Sequence, residues 1–404
     1  MLHTPEGRIT RVELSNYKSI KSCNVDLGPL TILVGANGAG KSNFLDALRF
    51  VADALDNSLD HALRDRGGIR EVRRRSEGHP THFRIQTQMS LPQGRTAKYH
   101  FSIATDTSGI WYVKEETCEI YPSEVFAESA RFSVANGAAT IRGEQHPAQA
   151  SRDRLYLVTI SGRPEFRDVY DRLRRMAVYS IEPEGIRNLQ SPDAGDLLRR
   201  DGGNLASVIG RLSRQSPTTM SRIEEYLAHV VPGIKGVSKK EYGPKETILF
   251  DQIVGSSINP WHFDAANMSD GTLRALAILT ALLQNDSGRQ HVSLVGIEEP
   301  EAALHPGAAG LLLDALREAT EHTQVVITSH STELLDNRSI KPDEMICVSN
   351  YRGETRIEPL SGRALETIKR ELYTPGELMR MNLLDSDDAL LERQLNLFNG
   401  ADAA

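Results

Sequence analysis

The sequence predicts an α/β protein: a mixed, largely parallel sheet core carrying an antiparallel β lobe and a small helical subdomain. Three observations carry this expectation. An apolar strand, "LTILV", runs into a glycine-rich loop and then a helix at 30–55. Polar and apolar residues alternate in short runs between 81 and 122, the pattern of an antiparallel meander. From 292 to 331 strands alternate with a helix, as in a parallel sheet covered by helices.

Taken in order, "ITRVELSNY" and "LTILVG" are β-like runs joined through a Gly-Pro turn at 28–29, and "SNFLDALRFVADAL" is helical. "THFRIQTQM", "AKYHFSIAT" and "IWYVKEETCEIY" form the meander, whereas 123–175 is polar, mixed and carries no clear period. Residues 203–231 are helical in pattern, "ETILF" is a short β-like piece, and "NMSDGTLRALAIL" begins a capped helix. "HVSLVGIEEPE", a helix at 306–320 and "TQVVITSHS" follow.

Composition narrows the function. With 404 residues there is room for two or three domains' worth of core. Acidic residues outnumber basic ones, 54 to 47, so any nucleic-acid contact needs a local basic patch. Cys23, Cys118 and Cys347 are scattered without metal-ligand spacing and read as reduced thiols. No signal pattern opens the chain, and the longest apolar run, "ALAILTALL" at 275–283, is about half a membrane span. The expectation is a soluble, cytoplasmic protein.

"GANGAGKS", Gly35 to Ser42, fits G-x-x-x-x-G-K-[ST] and lies between a strand and a helix, as the motif requires. Gly35, Gly38 and Gly40 let the loop curl so that main-chain N–H groups point at phosphates. Lys41 reaches the β- and γ-phosphates, and the Ser42 hydroxyl ligates Mg²⁺. Asn37, Ala39 and Asn43 complete the ATP-binding set.

The strand at 292–297 ends on two glutamates: Glu298 is assigned to Mg²⁺ and Glu299 to the attacking water. A second strand, "VVITSHS", ends on His330, where an imidazole can contact the γ-phosphate and sense hydrolysis. Lys41, Glu299 and His330 form the catalytic set.

The order phosphate loop, "MSDGT", "IEEPE", "TSHS", with "NYKSI" after the first strand, resembles the ABC-type ATPase (P-loop NTPase) heads of the SMC/RecF superfamily. It is most similar to compact AAA-type ATPases related to the ATPase half of OLD (overcoming lysogenisation defect) proteins. The resemblance implies that Gly35–Ser42 is Walker A, Glu298 and Glu299 close Walker B, and Ser269, Asp270 and Gly271 form the signature. It places Ala302 to Pro306 at the D-loop, His330 at the switch histidine, and Asn16 to Lys18 beside the nucleotide. Glu298 stands where many such heads have Asp, which implies a longer or water-mediated metal contact. Gln190 is the nearest candidate for the Q-loop glutamine.

The resemblance also implies a head-to-tail homodimer around ATP, in which one copy's signature caps the γ-phosphate held by the other. Four segments are expected: lobe I at 1–190, a helical linking subdomain or arm stub at 191–265, lobe II at 266–360, and a helical or flexible tail at 361–404. The 75 residues at 191–265, between the "SIEPEG" region and the signature, carry no sustained heptads, so any arm is short. After His330 only 74 residues remain, and "DSDD" at 385–388 reads as a solvated acidic tail.

The expected function is a regulatory ATPase that acts with a separate effector, a nuclease, in phage defence or DNA maintenance. The alternative is a RecF-like DNA clamp. "RDRGGIREVRRR", 64–75, could line DNA phosphates or be a solvated loop. "QLNLF", with Gln394, Leu395, Leu397 and Phe398, is similar to the peptide that docks bacterial proteins on the sliding clamp. The preferred reading of that tail is an amphipathic last helix packing on its own domain.

Overall fold

The computed structural model describes residues 7–75, 80–123, 128–135, 137–284, 292–302 and 304–386. "QLNLF" lies outside them. Two units divide the chain: Met1–Met176 with Lys341–Ala404, and Ala177–Ile340.

The first unit begins with β1 (Ile9–Tyr17), β2 (Ile20–Asp26) and β3 (Leu30–Val34), followed by α1 (Lys41–Asp56), α2 (Leu59–Arg64) and α3 (Ile69–Val72). The meander is β4 (His82–Ser90), β5 (Thr96–Thr105) and β6 (Trp111–Tyr121), extended by β7 (Ala130–Ala135) and β8 (Ala138–Ile141). Helices α4 (Tyr156–Thr159) and α5 (Pro164–Arg174) follow.

The second unit carries β9 (Met176–Tyr179), α6 (Pro183–Arg187), α7 (Leu205–Gln215) and α8 (Pro217–Val230). A small antiparallel sheet comes next: β10 (Ile234–Tyr242), β11 (Lys245–Gln252) and β12 (Trp261–Asp264). It is followed by α9 (Asp270–Leu283), β13 (Leu294–Glu298), α10 (Ala309–Ala319), β14 (Gln324–Ser329) and α11 (Thr332–Leu335). The chain returns to the first unit with β15 (Met345–Tyr351), β16 (Glu354–Pro359), α12 (Gly362–Lys369) and α13 (Pro375–Arg380).

In the first unit the strand order is β8-β7-β6-β5-β4-β1-β2-β16-β15-β3. All pairings from β8 to β2 are antiparallel, while β16 on β2 and β15 on β3 are parallel. Every residue of β3 is buried, which is why its sequence is an unbroken apolar run. Tyr17, Phe50, Phe83 and Phe101 pack edge-on or stacked in the core, with ring centroids 5.5–6.2 Å apart.

Two stretches differ from the sequence reading. In the patternless 123–175 segment, Phe132 of β7 packs on Tyr156 of α4 and Phe166 of α5, at 5.4 and 5.3 Å. These contacts join residues far apart in sequence, so no local period announces them. The "DSDD" tail is not solvated at its start: Asp385 and Ser386 are buried, and the Asp385 carbonyl accepts from Ser361 N.

In the second unit β9, β13 and β14 are neighbours in that order, with β13 and β14 parallel from Leu294↔Gln324 to Glu298↔Thr328. The register sets the ends of both strands side by side. Helix α9 is buried along nearly its whole length. Among the described residues no helix is long and apolar enough to cross a membrane. The three cysteines are free thiols, with Cys118 and Cys347 buried.

Candidate functional site

In the first unit the phosphate loop links β3 to α1. Gly40 has φ +103° and Gly38 φ +76°, conformations open to glycine. A Cβ on Gly35 would lie 2.0 Å from the Val348 carbonyl oxygen, so glycine there is required by a close approach as well. Helix α1 starts at Gly40 without a side-chain cap and without an acidic residue in its first turn. Its first-turn N–H groups and positive end dipole therefore suit a polyanion.

Lys41 is 5% exposed, and its ammonium donates to the carbonyls of Gly35 (2.8 Å) and Ala36 (3.1 Å). The loop thus holds its own cation at its centre, while Asn37, Gly38 and Ser42 are exposed and Ala39 is buried. A cradle of N–H donors with a held lysine fits the triphosphate of ATP.

Asn16, near the end of β1, and Lys18, in the tight turn between β1 and β2, both have positive φ, 56° and 47°. The Asn16 carbonyl accepts from Arg74 N, and Lys18 N donates to Val72 O at 2.7 Å. The Lys18 ammonium lies 2.6 Å from Asp46 Oδ2, so in this structure it is directed to α1. Burial pushes the Asp46 carboxyl up, but Arg66 and Lys18 beside it hold it below the usual carboxylate range. Arg66, from the basic run, also reaches Asp53 at 3.1 Å and stacks over Phe50 at 5.2 Å. It is a core residue.

In the second unit the end of β13 and the end of β14 bring Glu299 and His330 together, with His330 Nδ1 3.0 Å from Glu299 Oε1. Glu299 sits at φ +44°, a costly conformation for a side chain with a Cβ. Its N–H is held by the carbonyl and hydroxyl oxygens of Thr328, both at 3.1 Å. Arg274, one turn into α9, donates to the carbonyls of Glu298 (3.2 Å) and Glu299 (3.3 Å). Helix α9 is thereby tied to the acidic turn.

Ser269 caps α9, accepting from Thr272 N at 3.2 Å. Ser269 and Asp270 are exposed, Gly271 is half-buried, and Asp270 pairs with Arg187. In the stretch expected as a D-loop, Ala302 N donates to Glu299 O and Leu304 N to Glu301 O. Ala303 lies outside the described residues.

Gln190 is 4% exposed. Its amide donates toward the carbonyls of Gly185 and Gly202 and accepts from Ala206 N at 2.9 Å. Its side chain braces the helical region internally. Arg274, Thr328, Ser19 and Thr355 were not singled out from sequence. They act through main-chain carbonyls, or through hydroxyls at strand ends, and carry no motif of their own.

Two family models match parts of the chain. "AAA ATPase domain" covers residues 8–100 and "AAA domain, putative AbiEii toxin, Type IV TA system" covers 254–336. Old nuclease of Escherichia phage P2 is 23% identical over 443 aligned positions, covering 95% of this chain and 67% of that protein. Structural maintenance of chromosomes protein 1 of Schizosaccharomyces pombe is 26% identical over 183 residues, 41% of this chain. This chain spans only 15% of that protein's length.

Among solved structures, an SMC head bound to the C-terminal winged-helix domain of ScpA has a TM-score of 0.55 at 16% identity, covering 88% of this chain and 99% of that one. The Pyrococcus furiosus SMC head with an extended coiled coil, bound to the C-terminal domain of ScpA, gives 0.53 at 14% identity, covering 91% and 99%. At these identities the likeness shows the fold.

The two AAA models, the likeness to Old nuclease and the SMC-head fold together support an ATPase of the SMC/RecF-like ABC kind. Within that class the chain is related to the ATPase domain of the OLD proteins. Nucleotide binding goes with this class.

Proposed function

We propose that this chain is a cytoplasmic regulatory ATPase that closes head to tail with a second copy around Mg·ATP. Hydrolysis then gates a separate effector, a nuclease, in phage defence or DNA maintenance. The observation that carries the proposal is the mouth of α9. Ser269 and Asp270 are exposed and Gly271 is half-buried, while nearly all of the helix beyond them is buried, so the N-terminal end of α9 faces outward.

In this reading the phosphate loop N–H groups and Lys41 bind the β- and γ-phosphates, and Ser42 and Glu298 hold Mg²⁺. The metal, when bound, screens phosphate charge. Glu299 orients the water, and His330 holds the Glu299 carboxylate and contacts the γ-phosphate. Loss of that phosphate removes the anion shared by the two copies. The 191–265 segment serves as the short arm stub. The likeness to Old nuclease over most of the chain supports a nuclease-linked output.

The clamp alternative draws on the likeness to SMC proteins, but the basic run gives it little support. Arg64, Arg66, Arg74 and Arg75 are each paired with an acidic residue. Docking through "QLNLF" stays part of that alternative.

Ser269→Arg tests the proposal, because it blocks the outward face of α9 without touching the phosphate loop. Each monomer should bind ATP with wild-type affinity, yet dimerisation and turnover should be lost. Equal loss of ATP binding would mean that Ser269 acts within one chain.

A further inference from the structure

We propose that Thr355 and Ser19 are positioning residues of the phosphate loop, setting the peptide between Ala39 and Gly40 so that it offers phosphate a donor instead of an acceptor. The inference rests on reading Gly35–Ser42 as the cradle for ATP.

Thr355, on β16, is 1% exposed. Its hydroxyl donates to the Ala39 carbonyl at 2.9 Å. That uses its one proton, so the Ser19 hydroxyl, 2.6 Å away, must donate to Thr355. Ser19 in turn accepts from Asn43 Nδ2 at 2.6 Å. The result is a one-way relay: Asn43 amide, Ser19 hydroxyl, Thr355 hydroxyl, Ala39 carbonyl. Its two ends are the first turn of α1 and the loop that precedes that helix. A second bond, Thr355 N to Ser19 O at 2.9 Å, fixes the two hydroxyl-bearing residues to each other. Thr355↔Ile20 is the pairing at which β16 meets β2.

The consequence follows from peptide geometry. In a planar trans peptide the C=O and the next N–H point in opposite directions. With the Ala39 oxygen turned to Thr355, the Gly40 N–H points away from it, on the side where phosphate is expected. Gly40 is the residue best able to let this peptide turn over, since glycine accepts either sign of φ. A flipped peptide would aim a carbonyl oxygen at the phosphate. Thr355 also forms the floor beneath the loop: a Cβ on Gly40 would lie 2.0 Å from its Oγ1. Motif and floor are therefore matched, glycine above and hydroxyl below.

The test measures Mg·ATP and ADP affinity by competition with a fluorescent nucleotide, together with steady-state turnover. The proteins are wild type, Thr355→Val, Thr355→Ser, Ser19→Ala and the double variant Ser19→Ala/Thr355→Val. Thr355→Val keeps the volume and removes the donor, and should weaken both nucleotides roughly 10-fold, the typical loss for one buried hydrogen bond. KM should rise while kcat at saturation stays within about twofold, a split that general destabilisation does not produce. Thr355→Ser should restore affinity, and Ser19→Ala should fall in between and be non-additive with Thr355→Val. Wild-type affinity in Thr355→Val, or equal losses in the Val and Ser variants, would overturn the relay. Should Thr355→Val fail to fold, wild-type affinity in Ser19→Ala overturns it instead. A wild-type protein that binds no nucleotide would overturn the ATPase reading itself.

Discussion

Arg274→Met removes the tie between α9 and the acidic turn, and the cost can be worked from the geometry. One guanidinium nitrogen serves two carbonyls, those of Glu298 and Glu299, at 3.2 and 3.3 Å. Charge-assisted hydrogen bonds contribute about 1.5–3 kcal/mol each, and two long ones sharing a donor contribute about 2 kcal/mol together. Against this stands the left-handed conformation of Glu299, at φ +44°, which costs about 1–2 kcal/mol for a residue with a Cβ. Without the arginine, the bonds of Glu299 N to Thr328 are left to hold a turn that its own backbone disfavours. If the lost 2 kcal/mol falls on the competent turn, kcat drops roughly 30-fold. ATP affinity should hold, because the phosphate loop is built in the other unit. Phosphate-release kinetics give kcat, and fluorescent-nucleotide titration gives affinity. Arg274→Lys, able to reach either carbonyl, should recover part of the loss. A folded Arg274→Met with kcat within about twofold of wild type would refute the reasoning.

Two other predictions concern stability. Glu116 is fully buried, accepting from Tyr99 Oη and the N–H groups of Tyr156 and Leu157, and burial pushes its carboxyl up to about 7 despite those donors. A folded-state value above the unfolded one adds stability at low pH that is lost as pH rises through about 7, amounting to about 2 kcal/mol between pH 5.5 and 8. Glu116→Gln should flatten that slope in denaturant unfolding, and an unchanged slope would contradict it. Ser269→Arg removes the hydroxyl that caps α9 and should lower the unfolding free energy by about 1 kcal/mol in the same denaturant assay, leaving the monomer folded; no loss of stability would mean that the cap contributes nothing.

What the sequence revealed, and what it hid, follows from how far each contact reaches along the chain. The phosphate loop was legible because strand, glycines, lysine and helix are contiguous and each residue type has one mechanical reason to be there. Glu299 and His330 stood out because each directly follows a largely buried strand, and the parallel register of β13 and β14 sets those ends together. Arg274 was hidden in plain view inside "SDGTLR", since its partners are carbonyl oxygens, which every residue has. Thr355 was hidden more deeply: it lies 316 positions from the Ala39 it holds.

The basic run was open to two readings, DNA-facing or solvated, and one of its arginines fits neither. Arg66 is charged, yet Asp46 and Asp53 neutralise it beneath α1, and its flat guanidinium packs on Phe50. Gln190 occupied the expected stretch of chain, but its amide is spent on three main-chain groups around it. The sheet at β10–β12 was largely missed because β10, "IKGVSKKEY", is half solvated and lacks the apolar density of a core strand.

The central claim is that this chain works in pairs around ATP. On the role proposed for Glu299, Glu299→Gln keeps the shape of the side chain and removes the group that would activate water, so bound ATP should persist. The most direct measurement is the mass in solution of Glu299→Gln, by light scattering with and without Mg·ATP. Its mass should be that of the monomer without nucleotide and twice that with it. A Glu299→Gln protein that binds ATP at full occupancy and remains a monomer would contradict the account.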